Sequence, residues 1–192
     1  MQTIELFIKD DEDGVFAISL VNSPAIEENF VTLSKDDPKY NIELKGIDDE
    51  RKIVVGFALV PEKPIYRKMK DKEFNIKFSK ETVAKASELY MKNLNLANVT
   101  SEHKKPVKDC CVIESWIVED AKNDKSNIWD LGAKGGEWVI VMKLYNEEEY
   151  QKAKDGTYNG FSIEAMFDGF EQLNTKELTD EEKLNKIIEI LD

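Results

Sequence analysis

The chain has 192 residues, enough for one domain with a hydrophobic core, and it carries a formal net charge of −12 with a pI near 4.7. A surface this acidic repels nucleic acid unless basic residues cluster, and the densest basic stretch, residues 66–72, is short and interrupted by Asp71. We therefore interpret that stretch as a solvated loop and disfavour nucleic-acid binding. No apolar run reaches the roughly 20 residues that cross a bilayer. The first residues lack a signal-peptide pattern, so we expect the protein in the cytoplasm.

The two cysteines, Cys110 and Cys111, are adjacent. Neighbouring residues on a strand point to opposite faces, so a bond between these two thiols would be strained. We expect two free thiols, one buried as a small apolar group and the other partly exposed. A single histidine and an adjacent cysteine pair do not have the spacing of zinc ligands, and neither a metal nor another cofactor is predicted.

Runs of β-branched and aromatic residues, bounded by proline, glycine and acidic turns, indicate a β-rich chain. These runs predict strands at residues 4–9, 15–21, 40–44, 52–60, 75–78, 110–119, 137–144 and 160–167. The first two strands are separated by an acidic turn that ends in Asp13-Gly14. Because Asp-Gly between two apolar runs is typical of a hairpin, we expect these strands to pair. The prediction is an α+β fold with mostly β structure.

Three stretches have the caps or the apolar spacing of helices. Ser79 and Asn146 are good N-caps for helices at residues 80–92 and 147–155. A third, amphipathic helix is indicated near the end by an apolar stripe made by Leu184, Ile187, Ile188 and Leu191. We divide the chain into a domain at residues 1–170 and a linker with this helix at 171–192. The stripe fits packing on the body or on another chain equally well.

The chain contains a single histidine, His103. A neutral imidazole can take a proton and return it, which makes histidine the usual base for a hydroxyl nucleophile. Serines of the C-terminal half that could act with it are Ser101, Ser115, Ser126 and Ser162. We favour Ser162, because Gly156 and Gly160 flank a tight turn into its strand and let backbone and substrate approach closely. One base and one serine are the minimum for acyl transfer, although an ordinary structural role fits both residues as well.

A third group should hold the imidazole in the right tautomer and balance its positive charge. The candidates are Glu114, Glu164 and Asp168, and spacing does not select among them. We favour Glu114, because it lies in an apolar strand where an ionised carboxylate needs a partner. Glu164 would face the same side of its strand as Ser162. A rival hypothesis pairs His103 with a thiolate of the cysteine pair, but no neighbour in sequence marks either cysteine as activated.

Several segments of the chain, in this order, resemble the XkdF-like phage prohead serine proteases. They are VFAISLVNSPAI at 15–26, VGFALVP at 55–61 with IYR at 65–67, EH at 102–103, VIESWIV at 112–118, GEW at 136–138 and GFSIE at 160–164. The resemblance covers residues 4–168, and its specificity comes from the ordered set, since no single segment is diagnostic. One departure is Ala165, which follows Ile163-Glu164 where the family commonly has glycine.

These proteases are distantly similar to the herpesvirus assemblins, so the resemblance implies a mostly antiparallel β-barrel flanked by a few helices. It implies Ser162 as nucleophile and His103 as base in a serine endopeptidase that uses no cofactor. Such an enzyme cleaves phage scaffold and major capsid proteins, and itself, inside the immature capsid in the host cytoplasm. The third triad member does not carry over cleanly, so Glu114 rests on the residues alone. The alternative is a non-catalytic capsid-assembly or scaffold-associated protein with a protease-like fold. Cleavage preference and homo-oligomer formation stay open.

Overall fold

The computed structural model of this chain describes residues 1–23, 45–48, 51–69 and 72–173. The described strands are β1 (Thr3–Leu6), β2 (Gly14–Val21), β3 (Lys45–Asp48), β4 (Ile53–Leu59), β5 (Ile65–Met69), β6 (Lys72–Phe78), β7 (Val99–Ser101), β8 (Lys105–Pro106), β9 (Cys110–Ile117), β10 (Trp138–Leu144) and β11 (Gly160–Met166). The described α-helices are α1 (Lys80–Lys92) and α2 (Glu147–Lys154), and short 3₁₀ helices occupy Asn95–Ala97, Lys125–Trp129 and Phe170–Leu173. The predicted mostly-β α+β class is confirmed. The strand predicted at 40–44 and the helix predicted near the C-terminus lie outside the described residues.

The described strands form three sheets, with the orders β1-β6-β5, β3-β4-β10-β9 and β11-β2-β7-β8. Six of the eight strand pairs are antiparallel, and the parallel ones join β1 to β6 and β2 to β7. Each sheet keeps two edge strands in this part of the chain, and none closes on itself, so the predicted barrel is not confirmed. Of the helices in these ranges, none is both long and apolar enough to span a membrane.

Helix α1 contacts β2, β9 and β10, and a short 3₁₀ helix connects it to β7. Its N-cap is Ser79, as predicted, and the Ser79 hydroxyl accepts a hydrogen bond of 3.1 Å from the Thr82 amide. On its buried face the Tyr90 ring meets Trp138 of β10 edge-on, with ring centroids 5.5 Å apart, and both side chains are completely buried. Because α1 also contacts β2, the short link after it can place β7 directly beside β2.

The predicted hairpin between the first two strands is wrong. Strand β1 pairs with β6, whereas β2 lies between β11 and β7 in a different sheet. The acidic turn between them folds on itself, since the Asp13 carboxylate accepts hydrogen bonds from the amides of Lys9 and Asp10 at 2.9 and 3.3 Å. Gly14 has a φ of +102°, so the chain changes direction there. A two-residue connection would align the strands, but this longer turn redirects the second strand.

The basic stretch at residues 66–72 was predicted to be a solvated loop, and this prediction is wrong for residues 66–69 and 72, the part of the stretch that the structure describes. Strand β5 pairs antiparallel with β6, with Arg67 opposite Phe74. The apolar side chains Phe74, Ile76 and Phe78 of β6 are buried. Lys68 lies on the opposite face of this edge strand from Arg67 and forms an ion pair of 3.3 Å with Glu73 of β6. The charges of residues 67 and 68, which indicated a loop, therefore lie on a paired strand at the edge of a sheet.

Candidate active site

The only histidine lies in a tight turn between β7 and β8. These strands pair antiparallel, with Ser101 opposite Lys105, and the Lys104 amide donates a hydrogen bond of 3.0 Å to the Ser101 carbonyl. Both central residues, Glu102 and His103, have positive φ values of 52° and 55°. Side chains with a Cβ disfavour this region, and each such residue costs about 1–3 kcal/mol. The turn is therefore held in a strained conformation by its surroundings.

The end of β2 supplies the contacts that hold this turn. The Glu102 amide donates to the Leu20 carbonyl at 3.0 Å, and the His103 amide donates to the Ser19 hydroxyl at 3.0 Å. The Glu102 carboxylate in turn accepts a bond of 2.6 Å from the Asn22 amide. The two amides and the Glu102 carboxylate are thus bonded to the end of β2 and the residue that follows it. These bonds fix the position of the His103 backbone.

The imidazole of His103 contacts the carboxylate of Glu164 on β11. The distance from His103 Nδ1 to Glu164 Oε1 is 3.3 Å, and the two side chains are only 13% and 22% exposed. The same carboxylate oxygen accepts a hydrogen bond from the Thr100 hydroxyl on β7. A carboxylate beside Nδ1 favours the tautomer with its proton on that nitrogen, which leaves the lone pair of Nε2 free. Nε2 is buried and has no hydrogen-bond partner among the described residues.

Ser162 lies on the same face of the sheet as this pair. It is 8% exposed, and it stands directly opposite Ser19, which in turn stands opposite Thr100. Directly opposed residues of neighbouring strands have Cβ atoms about 4.5–5.5 Å apart and share a face. Ser162, Ser19 and Thr100 therefore form a row across β11, β2 and β7, and we call it the hydroxyl row. Glu164 shares this face, because it is two residues beyond Ser162 on the same strand.

No hydrogen bond joins Ser162 to the imidazole in this structure. Within the described ranges, the Ser162 side chain has no hydrogen-bond partner, and Nε2 of His103 has none either. The fold thus brings a serine, a histidine and a carboxylate to one face around Ser19. In enzymes without bound substrate, catalytic hydrogen bonds are often long and shorten when the substrate binds.

The other predicted carboxylates lie elsewhere. Glu114 is on β9, opposite Val141 in the β3-β4-β10-β9 sheet, and its carboxylate forms an ion pair with Lys125. Asp168 follows β11 and exchanges backbone hydrogen bonds with Phe7. Of the three carboxylates predicted from the sequence, Glu164 is the one in contact with His103. The apolar neighbours of Glu114 made it look unpaired, but its partner Lys125 begins a 3₁₀ helix eleven residues later.

The other candidate serines have structural partners or are enclosed. The Ser101 hydroxyl accepts a bond of 2.9 Å from Tyr158, and the Ser115 hydroxyl accepts one of 2.8 Å from the indole of Trp138. Ser126 is completely buried in its 3₁₀ helix. None of these three hydroxyls has a hydrogen bond to the imidazole among the described residues.

The prediction of two free thiols is confirmed, with Cys110 buried and Cys111 partly exposed. Burial is the main reason why the pKa of the Cys110 thiol is raised to about 12, and nearby carboxylates add to it. A thiol with this pKa stays protonated near neutral pH and is a poor nucleophile. The Cys110 thiol donates to the Lys108 carbonyl at 3.5 Å, whereas the partner of the imidazole is Glu164.

Two residues of this cluster, Ser19 and Thr100, were not singled out from the sequence. Ser19 interrupts the apolar run of β2 with a hydroxyl that the structure buries completely. A polar residue inside an apolar run was the available signal, because a buried hydroxyl needs a hydrogen-bond partner. Thr100 carries no such signal, since threonine is common on ordinary strands.

The comparison with protein families gives the family of the chain. The family model described as "Putative phage serine protease XkdF" matches residues 41–171, which is more than half of the chain. The chain belongs to this family. The family resemblance predicted from the sequence is therefore confirmed, and the matched stretch contains His103, Ser162 and Glu164 but not Ser19. No curated protein and no solved structure matches the chain.

Proposed function

We propose that the chain is a serine endopeptidase in which Ser162 is the nucleophile, His103 the general base and Glu164 the carboxylate that orients the imidazole. The observation that supports this proposal is the environment of the two ring nitrogens of His103. Its Nδ1 lies 3.3 Å from a carboxylate, and its Nε2 is buried without a partner on the sheet face that also bears Ser162. A carboxylate-bound imidazole with a free Nε2 supports this proposal, because such a base activates a weak hydroxyl nucleophile when the two come within hydrogen-bond distance.

The proposed reaction runs in two halves. As Ser162 Oγ attacks the carbonyl carbon of the scissile peptide, Nε2 of His103 takes the hydroxyl proton and the ring becomes positively charged. Glu164, held by Thr100, stabilises that charge. Nε2 then gives the proton to the leaving amine, which leaves an ester on Ser162. A water molecule repeats the cycle, and hydrolysis of the ester restores the serine. Backbone amides near the turn into β11 would stabilise the oxyanion.

The family supports a proposal for the biological substrate. Its description names a phage serine protease, and the role that fits such an enzyme is capsid maturation. We propose that the protein cleaves scaffold and major capsid proteins, and itself, inside the immature capsid in the host cytoplasm. The acidic character of the chain, with a net charge of −12, agrees with substrates that are proteins rather than nucleic acid.

A second candidate is a non-catalytic capsid-assembly protein that keeps this fold. The observation in its favour is the unmade hydrogen bond, since neither the Ser162 hydroxyl nor His103 Nε2 has a partner in the described ranges. A fold can keep its core while a site on it loses activity. The two candidates are distinguished by cleavage, because only the endopeptidase cuts the scaffold protein.

The test is co-expression of the chain with the proposed substrate, the scaffold protein of the same phage, followed by mass spectrometry of the scaffold. We expect cleavage with the wild type and none with Ser162→Ala or His103→Ala. Ser126→Ala is the matched control, because Ser126 is also buried and its hydroxyl has no partner in the described part of the chain. This control should process the scaffold normally. Equal processing by the wild type and Ser162→Ala would refute the proposed nucleophile, and an intact scaffold with all four proteins would favour the non-catalytic candidate.

A further inference from the structure

Ser19 is a buried polar residue in the middle of an apolar strand. It is completely buried, and its neighbours Ile18 and Leu20 belong to the core. A hydroxyl at such a position is unfavourable unless it is hydrogen-bonded. Its partner is the backbone amide of His103, which donates to Ser19 Oγ at 3.0 Å. The single polar side chain that β2 places in the hydroxyl row is therefore bonded to the residue that carries the imidazole.

The backbone of His103 needs such a contact. It has a positive φ, and so does Glu102 before it, so the turn tends to relax towards ordinary φ values. The remaining ties from β2 hold Glu102, through the Leu20 carbonyl and the Asn22 amide. Only the bond to Ser19, among the contacts described here, holds the amide of His103 itself. A change of φ at His103 would swing its ring away from Glu164.

We propose that Ser19 is a positioning residue that fixes the backbone of His103, so that Nδ1 faces Glu164 and Nε2 faces the serine side of the row. This inference rests on the proposed function for its consequence in catalysis, whereas the effect on the imidazole is independent of it. Ser19 and Thr100 divide the task, because one holds the histidine and the other holds the carboxylate. Residue 19 lies outside the stretch that the family model matches.

The first test compares Ser19→Ala with Ser87→Ala on a peptide that spans a junction cut by the wild type. Ser87 is a matched control, because it is 7% exposed and its hydroxyl lies 3.4 Å from that of Ser115, away from His103. We expect Ser19→Ala to lower kcat by about tenfold to a hundredfold with little change in KM, since a small misplacement of a catalytic group costs this much. Ser87→Ala should keep wild-type kcat. Ser19→Thr keeps the acceptor and should recover most of the loss.

The second test reads the imidazole directly and needs no activity. Because the chain has one histidine, the ¹⁵N spectrum of its ring contains only His103. In the neutral ring we expect the Nδ1–H tautomer in the wild type and in Ser87→Ala, and a mixture of tautomers in Ser19→Ala. If Ser19→Ala fails to fold, Ser19→Cys takes its place, because the thiol fills nearly the same volume and is a weaker acceptor. The tautomer of its His103 ring should shift in the same direction, towards a mixture.

The two tests separate the inference from the function on which it rests. A wild type without peptidase activity would refute the proposed function, and the tautomer comparison would still decide the role of Ser19. Folded Ser19→Ala and Ser19→Cys proteins with the wild-type tautomer would overturn the inference. If the wild type is active, an unchanged kcat in Ser19→Ala would also overturn the inference.

Discussion

Replacing Glu164 by glutamine removes the negative charge beside the imidazole and keeps the size of the side chain. In the structure this carboxylate lies 3.3 Å from His103 Nδ1, and the pair is largely shielded from water. The proposed mechanism places a positive charge on the ring in the transition state, so the carboxylate should matter most at that moment. We therefore expect Glu164→Gln to lower kcat more than it changes KM.

The size of the effect follows from the distance. Two unit charges at 3.3 Å attract by about 1 kcal/mol in water and by about 5 kcal/mol at an effective dielectric constant of about 20. Since about 1.4 kcal/mol corresponds to a factor of ten in rate, these limits predict a loss between about tenfold and a few thousandfold. The low exposure of both side chains, 13% and 22%, places the expectation in the upper part of this range.

The assay measures kcat and KM of purified Glu164→Gln and Glu114→Gln on the same junction peptide. Glu114 is the matched control, because its carboxylate pairs with Lys125 and both side chains are about 40% exposed. An exposed ion pair of this kind contributes about 0–1 kcal/mol to stability, so Glu114→Gln should stay within about twofold of the wild type. A loss in Glu114→Gln that equals or exceeds the loss in Glu164→Gln would refute the assignment of the orienting carboxylate.

Two further predictions concern titratable groups outside the proposed triad. Because burial raises the pKa of Cys110 to about 12, its thiol should resist iodoacetamide at pH 8 in the folded protein, and peptidase activity should survive the treatment; loss of activity in step with alkylation of Cys110 would contradict this. Burial also raises the pKa of Glu137, so wild-type stability should fall as pH rises through the titration of this carboxyl. Glu137→Gln keeps an acceptor for the Lys134 amide, which donates to Glu137 at 2.7 Å, and lacks that fall. Its melting temperature relative to the wild type should therefore be higher at pH 8 than at pH 4, and an unchanged or opposite difference would show the reasoning to be wrong.

Much of the fold could be predicted from local patterns. Strands β4 and β10 are apolar except for Lys143, and both lie in the core within one residue of the predicted bounds. Helix α1 has a good cap and regular apolar spacing, and it begins where the cap predicts. These signals lie within short stretches of sequence, so they can be recognised without knowledge of the tertiary structure.

The failures come from features that depend on distant parts of the chain. The strand β5 was missed because it is a sheet edge that carries charged residues, and the sequence does not distinguish such an edge from a loop. The pairing of β1 with β6 rather than β2 depends on contacts about 70 residues apart, for example between Ile4 and Ile76.

The site shows the same division between local and distant information. His103 and Ser162 could be chosen by elimination and turn chemistry, but the carboxylate that contacts the imidazole depends on how β11, β2 and β7 are ordered. Glu164 was a candidate because it faces the same side of its strand as Ser162, but the apolar surroundings of Glu114 made that residue the favoured one. The role of Ser19 depends on a backbone amide 84 positions away, and residue types alone do not indicate such a contact.

The measurement that tests the central claim most directly is labelling of the purified protein with an alkyl fluorophosphonate, which reacts with serines activated by a neighbouring base. Peptide mapping by mass spectrometry should find one modified residue, Ser162, and His103→Ala should abolish the modification while Glu114→Gln leaves it intact. A folded wild-type protein that takes no label, or that carries it on another serine such as Ser101, would contradict a hydrolytic site built from Ser162, His103 and Glu164.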